Sequence, residues 1–152
     1  MFTARRIARL VLYHTYKRTH SSSTDSSTGG QLRIIVRDRK ACEHGIPYTV
    51  GDNLLRCIQA YQKVSPQVYL EGACECSLAC STCHVILDST FFTKTPEASE
   101  EEEDLLDQAS CVTETSRLAC QITLQEHHNG LSLELPKFSR NFYVDNHVPQ
   151  PH

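Results

Sequence analysis

Four cysteines in this chain have a spacing that suits the binding of iron and sulfide. Cys74, Cys80 and Cys83 lie in one short segment at Cys-x5-Cys-x2-Cys spacing, and Cys120 follows far downstream. Thiolates are the usual protein ligands of iron-sulfur clusters, and the plant-type 2Fe-2S pattern also combines three close cysteines with one distant cysteine. That pattern has one residue fewer in its first gap, so this chain has a related pattern. The spacing indicates a 2Fe-2S cluster.

The segment that carries three of these cysteines is rich in small residues. Bulky side chains would block the approach of the backbone to a cluster, whereas small ones leave room and let backbone N–H groups point at its sulfurs. We expect the loop to be supported by these residues: Gly72, Ala73, Ala79, Ser81 and Thr82.

The remaining thiols carry weaker signals. Cys76 lies inside the loop, where it could exchange with Cys74 as a ligand. Cys111 lies nine positions before Cys120 and could compete with it as the fourth ligand. Cys57 lies beside an apolar stripe and is expected in the core.

The elements that must position these cysteines are short. Alternating apolar and polar residues predict strands over residues 32–38 and 46–50 before the loop, and over 84–88 directly after it. Asp52 can cap a helix over residues 53–62, whose apolar residues fall on one face. The sequence thus predicts a small mixed domain around the cysteine loop.

A hairpin is predicted after the last cysteine of the set. Residues 121–135 contain two alternating runs on either side of Asn129-Gly130, a dipeptide that is favoured in tight turns. His127 and His128 stand just before this turn, so we expect them at a solvated hairpin tip.

An acidic segment lies between the loop and Cys120. Ser99 and Glu102 have capping-box spacing, and consecutive carboxylates load the start of a helix, where its dipole favours negative charge. Glu100, Asp104 and Asp107 share one face of this predicted helix. Such carboxylates either dock on a basic partner or form a solvated face, and composition alone favours the solvated face.

Length and composition limit the class of protein. A chain of 152 residues with 39% hydrophobic residues suits one globular domain. Its eight cysteines are unevenly spread, and no secretory hydrophobic region precedes them, so a secreted disulfide framework is disfavoured. A metal site in a reducing compartment is the better interpretation.

The first 28 residues have the composition of a mitochondrial presequence. They are basic, rich in serine and threonine, and contain no acidic residue before Asp25. On a helix, the apolar residues lie opposite Arg5 and Arg9, and Arg9 interrupts the only apolar run, so no transmembrane helix is expected. A disordered basic arm is the alternative interpretation.

Removal of this segment would leave a strongly acidic protein. It would leave 10 basic and 17 acidic residues, a formal net charge near -7. An oxidised all-thiolate 2Fe-2S centre would add a formal charge of about -2. This balance disfavours nucleic acid as a partner and favours a basic protein surface.

Three segments resemble a known family. EGACECSLACSTCHV, SRLACQI and LPKFSRNFYVDNHVPQPH are similar to mitochondrial adrenodoxin-type 2Fe-2S ferredoxins, and the likeness extends from about Gln31 to the C-terminus. The tail resembles the branch that serves iron-sulfur cluster assembly more than the branch that serves steroid-hydroxylating cytochromes P450. Cys76 stands where the family has Gly or Ala, and Ala119 where Gly often precedes the last ligand. Neither difference removes a ligand.

The resemblance implies the ligand set and the fold. It makes Cys74, Cys80, Cys83 and Cys120 the cluster ligands, and it makes His84 a structural link between the loop and the rest of the domain. The implied fold is an α+β, beta-grasp single domain with a mixed sheet, a packed helix and an acidic partner-docking helix. The corresponding division of the chain is presequence 1–28, ferredoxin domain 31–136 and C-terminal tail 137–152.

The resemblance also implies a function. Positions matching Asp104 and Asp107 belong to the family's docking helix, which favours docking for the predicted surface of Glu100, Glu101, Asp104 and Asp107. The chain would be an electron carrier of the mitochondrial matrix and not an enzyme. Electrons would arrive from NADPH through a flavin-containing ferredoxin reductase and leave toward the cysteine desulfurase and its assembly scaffold.

Three alternatives remain from the sequence. A mitochondrial cytochrome P450 could be the electron acceptor. The four cysteines could hold a structural zinc ion, although zinc ribbons usually present two Cys-x2-Cys pairs, whereas three thiols here share one loop. Thiol-disulfide exchange through Cys80 and Cys83 lacks the surrounding redox motif.

Overall fold

A computed structural model describes residues 31–138. The predicted presequence at residues 1–28 and the predicted tail beyond Phe138 lie outside the described residues. Between residues 31 and 138, no helix has the length and apolar character needed to cross a membrane.

A five-stranded mixed sheet forms the centre of the fold. In chain order the strands are β1 (Arg33–Arg37), β2 (Glu43–Pro47), β3 (His84–Leu87), β4 (Ser116–Leu118) and β5 (Ser132–Glu134). Their order in the sheet is β2-β1-β5-β3-β4. The β1–β5 pair is parallel, whereas the β1–β2, β3–β5 and β3–β4 pairs are antiparallel. The architecture is the predicted α+β, beta-grasp fold.

Helix α1 (Leu54–Gln62) packs its apolar stripe into the core. Leu54, Leu55 and Ile58 are buried, as the predicted periodicity requires. The predicted cap is wrong by one residue, because Asn53 and not Asp52 caps the helix by accepting a hydrogen bond from the Arg56 amide at 3.3 Å. The Asp52 carboxylate instead accepts a hydrogen bond from the Thr49 amide at 2.8 Å.

The second strand begins earlier than predicted. It covers Glu43–Pro47, whereas the alternation had placed it over residues 46–50. Tyr48 follows the strand, and its hydroxyl donates a hydrogen bond to the Gln125 carbonyl at 2.7 Å. The buried Ile46 and Tyr48 produce the alternation, but only the first belongs to the ladder.

The predicted hairpin around Asn129-Gly130 does not form. β5 pairs with β1 and β3, while Thr123 makes only an isolated bridge to Asn53. A 3-10 turn at Glu126–His128 separates the two apolar runs. Alternation records which side chains are buried, but it does not record which strand provides the partner.

His128 is buried, which contradicts the expected solvated tip. Only 1% of its surface is exposed, and its ring centroid lies 4.9 Å from that of Phe91. Its Nδ1 accepts a hydrogen bond from the Gln125 amide at 3.0 Å. Phe91 belongs to α2 (Ser89–Lys94), a short helix that the sequence analysis did not identify and that Asp88 caps.

Helix α3 (Glu100–Leu106) is the predicted acidic helix. Ser99 accepts a hydrogen bond from the Glu102 amide at 3.3 Å and so caps it. The second half of the predicted capping box is wrong, because the Glu102 side chain turns inward and is only 1% exposed. The pattern S-x-x-E is compatible with either orientation.

Buried Glu102 joins α3 to β4. Its carboxylate accepts hydrogen bonds from Arg117 Nε at 2.8 Å and Arg117 Nη2 at 3.0 Å, and another from the Leu118 amide at 2.8 Å. Arg117 also donates to the Pro96 carbonyl. A buried and fully hydrogen-bonded pair of this kind holds the helix in one position against the strand.

Glu102→Ala should destabilise the fold severely, because it leaves the Arg117 guanidinium buried without its partner. We expect the free energy of unfolding to fall by about 3–5 kcal/mol. Glu103→Ala, at an exposed position of the same helix, should change it by no more than about 0.5 kcal/mol. Denaturant titration of both variants measures the difference, and equal effects would contradict the role given to the pair.

Candidate metal centre

The cysteine loop connects α1 to β3 and folds back tightly on itself. Glu75, Cys76 and Leu78 have positive φ angles of 53°, 74° and 52°. The Glu75 amide donates to the Gly72 carbonyl at 3.0 Å, and the Ser77 amide donates to the Cys74 carbonyl at 3.1 Å. Side chains rarely adopt this conformation, and residues held in it cluster at functional sites.

Pairing of β3 with β4 brings the distant cysteine to the loop. Cys83 directly precedes β3, and His84 pairs with Leu118 at the end of β4. The Ala119 amide extends this ladder by donating to the Cys83 carbonyl at 3.0 Å. Cys120 follows in a 3-10 turn, and the Asn53 amide group holds its carbonyl at 2.8 Å. The fold therefore places Cys120 beside Cys83.

The four thiols predicted as ligands lie together at this end of the sheet. Cys80, Cys83 and Cys120 are buried, and Cys74 is half-buried. They contact each other as two pairs, because Cys74 hydrogen-bonds with Cys80 and Cys83 hydrogen-bonds with Cys120. Cys83 also interacts electrostatically with Cys80. The structure thus brings all four predicted ligands into one site.

Hydrogen bonds favour the thiolate at one sulfur of the second pair. The Cys83 thiol donates to Cys120 and, against the opposing effect of burial, lowers the pKa of Cys120 to about 6. The same hydrogen bond, together with burial, raises the pKa of Cys83. Thiolates are the metal-binding form of cysteine, so the site already stabilises one ligand in its binding state.

Cys74 is a second sulfur at which hydrogen bonds favour the thiolate. Burial opposes its ionisation, but hydrogen bonds from the Ala79 amide, the Cys80 thiol and Ser77 outweigh burial and lower the pKa of Cys74. Each of the two pairs therefore contains one sulfur whose charged form is favoured.

The arrangement suits two irons better than one zinc ion. Within residues 31–138, no three His, Cys, Asp or Glu side chains come together closely enough to hold a single metal ion. A tetrahedral zinc site needs all four ligands around one ion, whereas a 2Fe-2S cluster takes two ligands at each iron. Two separate thiol pairs fit the second requirement.

Polar groups around the sulfurs include one that the sequence did not reveal. Thr82 Oγ1 lies 3.2 Å from Cys80 Sγ and accepts a hydrogen bond from the Ala73 amide at 3.1 Å. The Gln121 side-chain amide donates to Cys120 Sγ at 3.3 Å. No spacing rule identifies Gln121, and only its position next to a ligand could have suggested it. Hydrogen bonds to sulfur tune the potential of iron-sulfur centres.

The small residues of the loop do not all serve the same purpose. A Cβ at Gly72 would lie 2.8 Å from Leu55 Cδ2 and 2.9 Å from Gln59 Nε2, so Gly72 is required for packing against α1. Ala73 and Ala79 are exposed on the outside of the loop. Thr82 is buried and Ser81 is half-buried, and the Ser81 carbonyl accepts a hydrogen bond from the His84 amide at 3.2 Å.

His84 links the loop to the segment that follows α3. Its Nε2 lies 2.7 Å from Ser116 Oγ, and the Thr113 amide donates to the same hydroxyl at 2.9 Å. Burial lowers the pKa of His84, while a backbone hydrogen bond with Ser110 acts in the opposite direction. The side chain thus connects β3 to both ends of the segment 110–116.

The other cysteines occupy different environments. Cys111 is exposed, whereas Cys57 is half-buried against the core, where burial raises its pKa to about 11. Cys76 is half-buried inside the cysteine loop, and its Sγ lies 3.9 Å from Asn53 Oδ1. Burial raises the pKa of Cys76.

The acidic face predicted on α3 is open to solvent. Glu100, Glu101, Asp104 and Asp107 are all exposed. Asp104 and Asp107 also line a groove of about 620 Å³ between α3 and the following segment. The sequence analysis missed that Glu103 and Glu114 line the same groove, because the turn after the helix brings Glu114 back toward it. Exposed Val112 adds an apolar contact there.

Comparison with known proteins gives consistent relatives. No protein-family model matches the chain. It is 46% identical over 121 residues to Ferredoxin-2, mitochondrial, of Xenopus laevis, a match that covers 80% of this chain and 60% of that protein. It is 42% identical over 145 residues to Adrenodoxin-like protein 1, mitochondrial, of Drosophila melanogaster, with coverages of 93% and 81%. The chain thus spans less than two thirds of the length of the Ferredoxin-2 relative.

Solved structures with this fold are ferredoxins. A ferredoxin from Rhodopseudomonas palustris HaA2 superposes with a TM-score of 0.65 at 27% identity, over 71% of this chain and 99% of that one. An ISC-like 2Fe-2S ferredoxin from Pseudomonas putida gives 0.59 at 30% identity, over 72% and 96%. Putidaredoxin in its covalent complex with putidaredoxin reductase gives 0.58 at 29% identity, over 68% and 97%.

Serine substitutions can separate the ligands from the other thiols. Cys80→Ser should prevent a stable cluster, because it removes one member of a thiol pair. Cys111→Ser should leave the visible absorption spectrum and the iron content nearly unchanged, because Cys111 is exposed and outside both pairs. Absorption spectra and iron analysis of the two purified variants test this, and equal damage would contradict the ligand assignment.

Proposed function

Because the chain belongs to the mitochondrial adrenodoxin-type 2Fe-2S ferredoxins, which transfer electrons and are not enzymes, we propose that it carries single electrons in the mitochondrial matrix. The proposed cluster ligands are Cys74, Cys80, Cys83 and Cys120. The observation that carries this proposal is the meeting of these thiols as two contacting pairs at one end of the sheet.

Each thiol pair would hold one iron. Cys74 and Cys80 would bind the first, and Cys83 and Cys120 the second, because these are the sulfurs in mutual contact. A bound 2Fe-2S cluster supplies a one-electron couple without a free site for substrate. The outer side of the loop is exposed at Ala73 and Ala79, so a partner can approach the site closely.

The electron donor would be an NADPH-dependent flavoprotein reductase. One structural relative, putidaredoxin, has been solved in a complex with its own reductase. In the present chain the docking surface would be the exposed acidic face of Glu100, Glu101, Asp104 and Asp107. Like charges on one short helix repel each other, and lysine and arginine side chains of a partner would relieve this repulsion.

The acidic face is mechanically connected to the proposed ligands. Glu102 lies on the same helix, but its buried carboxylate binds Arg117 and the Leu118 amide, two residues before Cys120. His84 makes a second connection, from the residue after Cys83 to Ser116. A partner bound on α3 would therefore meet a surface held at a fixed position relative to two of the ligands.

The electron acceptor would be the cysteine desulfurase and scaffold that assemble iron-sulfur clusters, where the electrons reduce persulfide sulfur to sulfide. Similarity to Ferredoxin-2 of Xenopus laevis and to an ISC-like ferredoxin supports this choice. A mitochondrial cytochrome P450 is the alternative acceptor, which the family name shared with adrenodoxin-like relatives favours.

A reconstitution with both acceptors tests the choice. Reduced protein should support persulfide reduction on the assembly scaffold at a higher rate than turnover of a mitochondrial cytochrome P450. The same reductase and the same protein concentration are used in both assays. Faster turnover of the P450 would reverse the order of the two acceptors without affecting the electron-carrier proposal.

Charge reversal tests the docking surface. Asp104→Lys together with Asp107→Lys should slow reduction by the flavoprotein and flatten its dependence on ionic strength, because attraction between exposed charges is screened by salt. Rates of reduction are measured by stopped flow at several salt concentrations. The visible spectrum should be unchanged.

A matched control removes the effect of net charge. Glu43→Lys together with Glu126→Lys makes the same change in charge at exposed positions on other elements. Its rate should stay closer to that of the unaltered protein. If both double variants slow equally, α3 is a solvated face and the assignment of the docking surface fails.

A further inference from the structure

One cationic side chain reaches the cysteine loop from outside it. Arg56 lies in the first part of α1, and its side chain is exposed. Its Nη2 donates a hydrogen bond to the Glu75 carbonyl at 3.2 Å. Glu75 stands between Cys74 and Cys76, in the part of the loop where φ is positive. The guanidinium therefore binds the backbone right beside a proposed ligand.

This hydrogen bond fixes the orientation of one peptide group. The Glu75 carbonyl and the Cys76 amide belong to the same planar trans unit and point in opposite directions. Because Arg56 holds the carbonyl toward α1, the Cys76 N–H points away from α1. In the part of the chain that the structure describes, this N–H has no acceptor, so it is available to a sulfur of the cluster.

Arg56 also brings an uncompensated positive charge to the loop. It forms no ion pair with a carboxylate between residues 31 and 138, and α1 itself contains no acidic residue. The guanidinium lies close enough to the Cys76 thiol to oppose the effect of burial on its pKa. A neighbouring cation stabilises the reduced, more negative state of a centre more than its oxidised state.

We propose that Arg56 is a positioning residue that raises the reduction potential of the cluster, by orienting the Glu75–Cys76 peptide and by placing a positive charge beside the loop. This inference rests on the proposed function, since it presumes a cluster at the four cysteines. Hydrogen bonds to sulfur and local charge are two of the means by which a protein sets the potential of such a centre. Arg56 supplies both from one side chain.

Substitution of Arg56 has a matched control on the same helix. Lys63 lies seven positions along, lines the same groove beside α1 and is exposed, but it makes no hydrogen bond to the loop among the described residues. Arg56→Gln and Lys63→Gln each remove one positive charge. Only Arg56→Gln also removes the bond to Glu75.

Redox titration and electron paramagnetic resonance of the cluster-loaded variants test the proposal. Arg56→Gln should shift the potential to a more negative value than Lys63→Gln does, with the larger difference at low ionic strength. It should also shift the g values of the reduced protein, whereas Lys63→Gln should leave them unchanged. Equal potentials and unchanged g values in both variants would overturn the proposal.

Two further outcomes are interpretable. If Arg56→Gln does not retain a cluster, Arg56→Lys keeps the charge but loses the planar guanidinium, and its g values should then differ from those of the unaltered protein. Unchanged g values and potential in Arg56→Lys would overturn the positioning role. Absence of a reversible one-electron couple in the unaltered protein would refute the proposed function itself, whereas failure of the Arg56 comparison alone would not.

Discussion

The structure depends on bringing one distant thiol to a loop that already carries three. Anionic sulfurs repel each other, so the backbone must hold them together before any metal binds. Antiparallel pairing of β3 with β4 does this, and the Ala119–Cys83 hydrogen bond extends the pairing to the ligands themselves. Asn53 adds a second constraint, because one side chain both caps α1 and binds the Cys120 carbonyl. The helix, the strand pair and the loop therefore converge on the same few residues.

The surface for partners is built on the same framework. Glu102 is the one carboxylate of α3 that turns inward, and it completes the edge of β4 by accepting the Leu118 amide as well as binding Arg117. Its neighbours on the helix remain in water. This division explains why a highly acidic helix is stable: one charge is paired and buried, and the others are solvated or available to a partner. Docking and electron transfer thereby share a single rigid connection.

The sequence predicted the site better than it predicted the elements around it. Cysteine spacing is a direct signal, because ligands must lie close together, and the structure brings Cys74, Cys80, Cys83 and Cys120 into one place. The acidic helix was predictable from its charges and cap. Glu102 was misassigned, because its buried partner Arg117 lies on another element and no local pattern reveals it.

The errors elsewhere share a physical cause. The two runs around Asn129-Gly130 alternate correctly, yet Leu133 finds its partners in β1 and β3 rather than in the preceding run. His128 appears polar in sequence but packs against Phe91, on a helix that was not predicted. In each case a long-range contact decided the outcome over a local preference. The contact between Arg56 and Glu75 is of the same kind, since no spacing in the sequence connects them.

The central claim is that the four cysteines hold a redox-active pair of irons. Electron paramagnetic resonance of the purified protein after reduction with dithionite tests it most directly. The account predicts a signal from a one-electron-reduced 2Fe-2S centre that is lost in Cys80→Ser and kept in Cys111→Ser. A colourless protein that contains zinc and gives no such signal, even after anaerobic reconstitution with iron and sulfide, would contradict it.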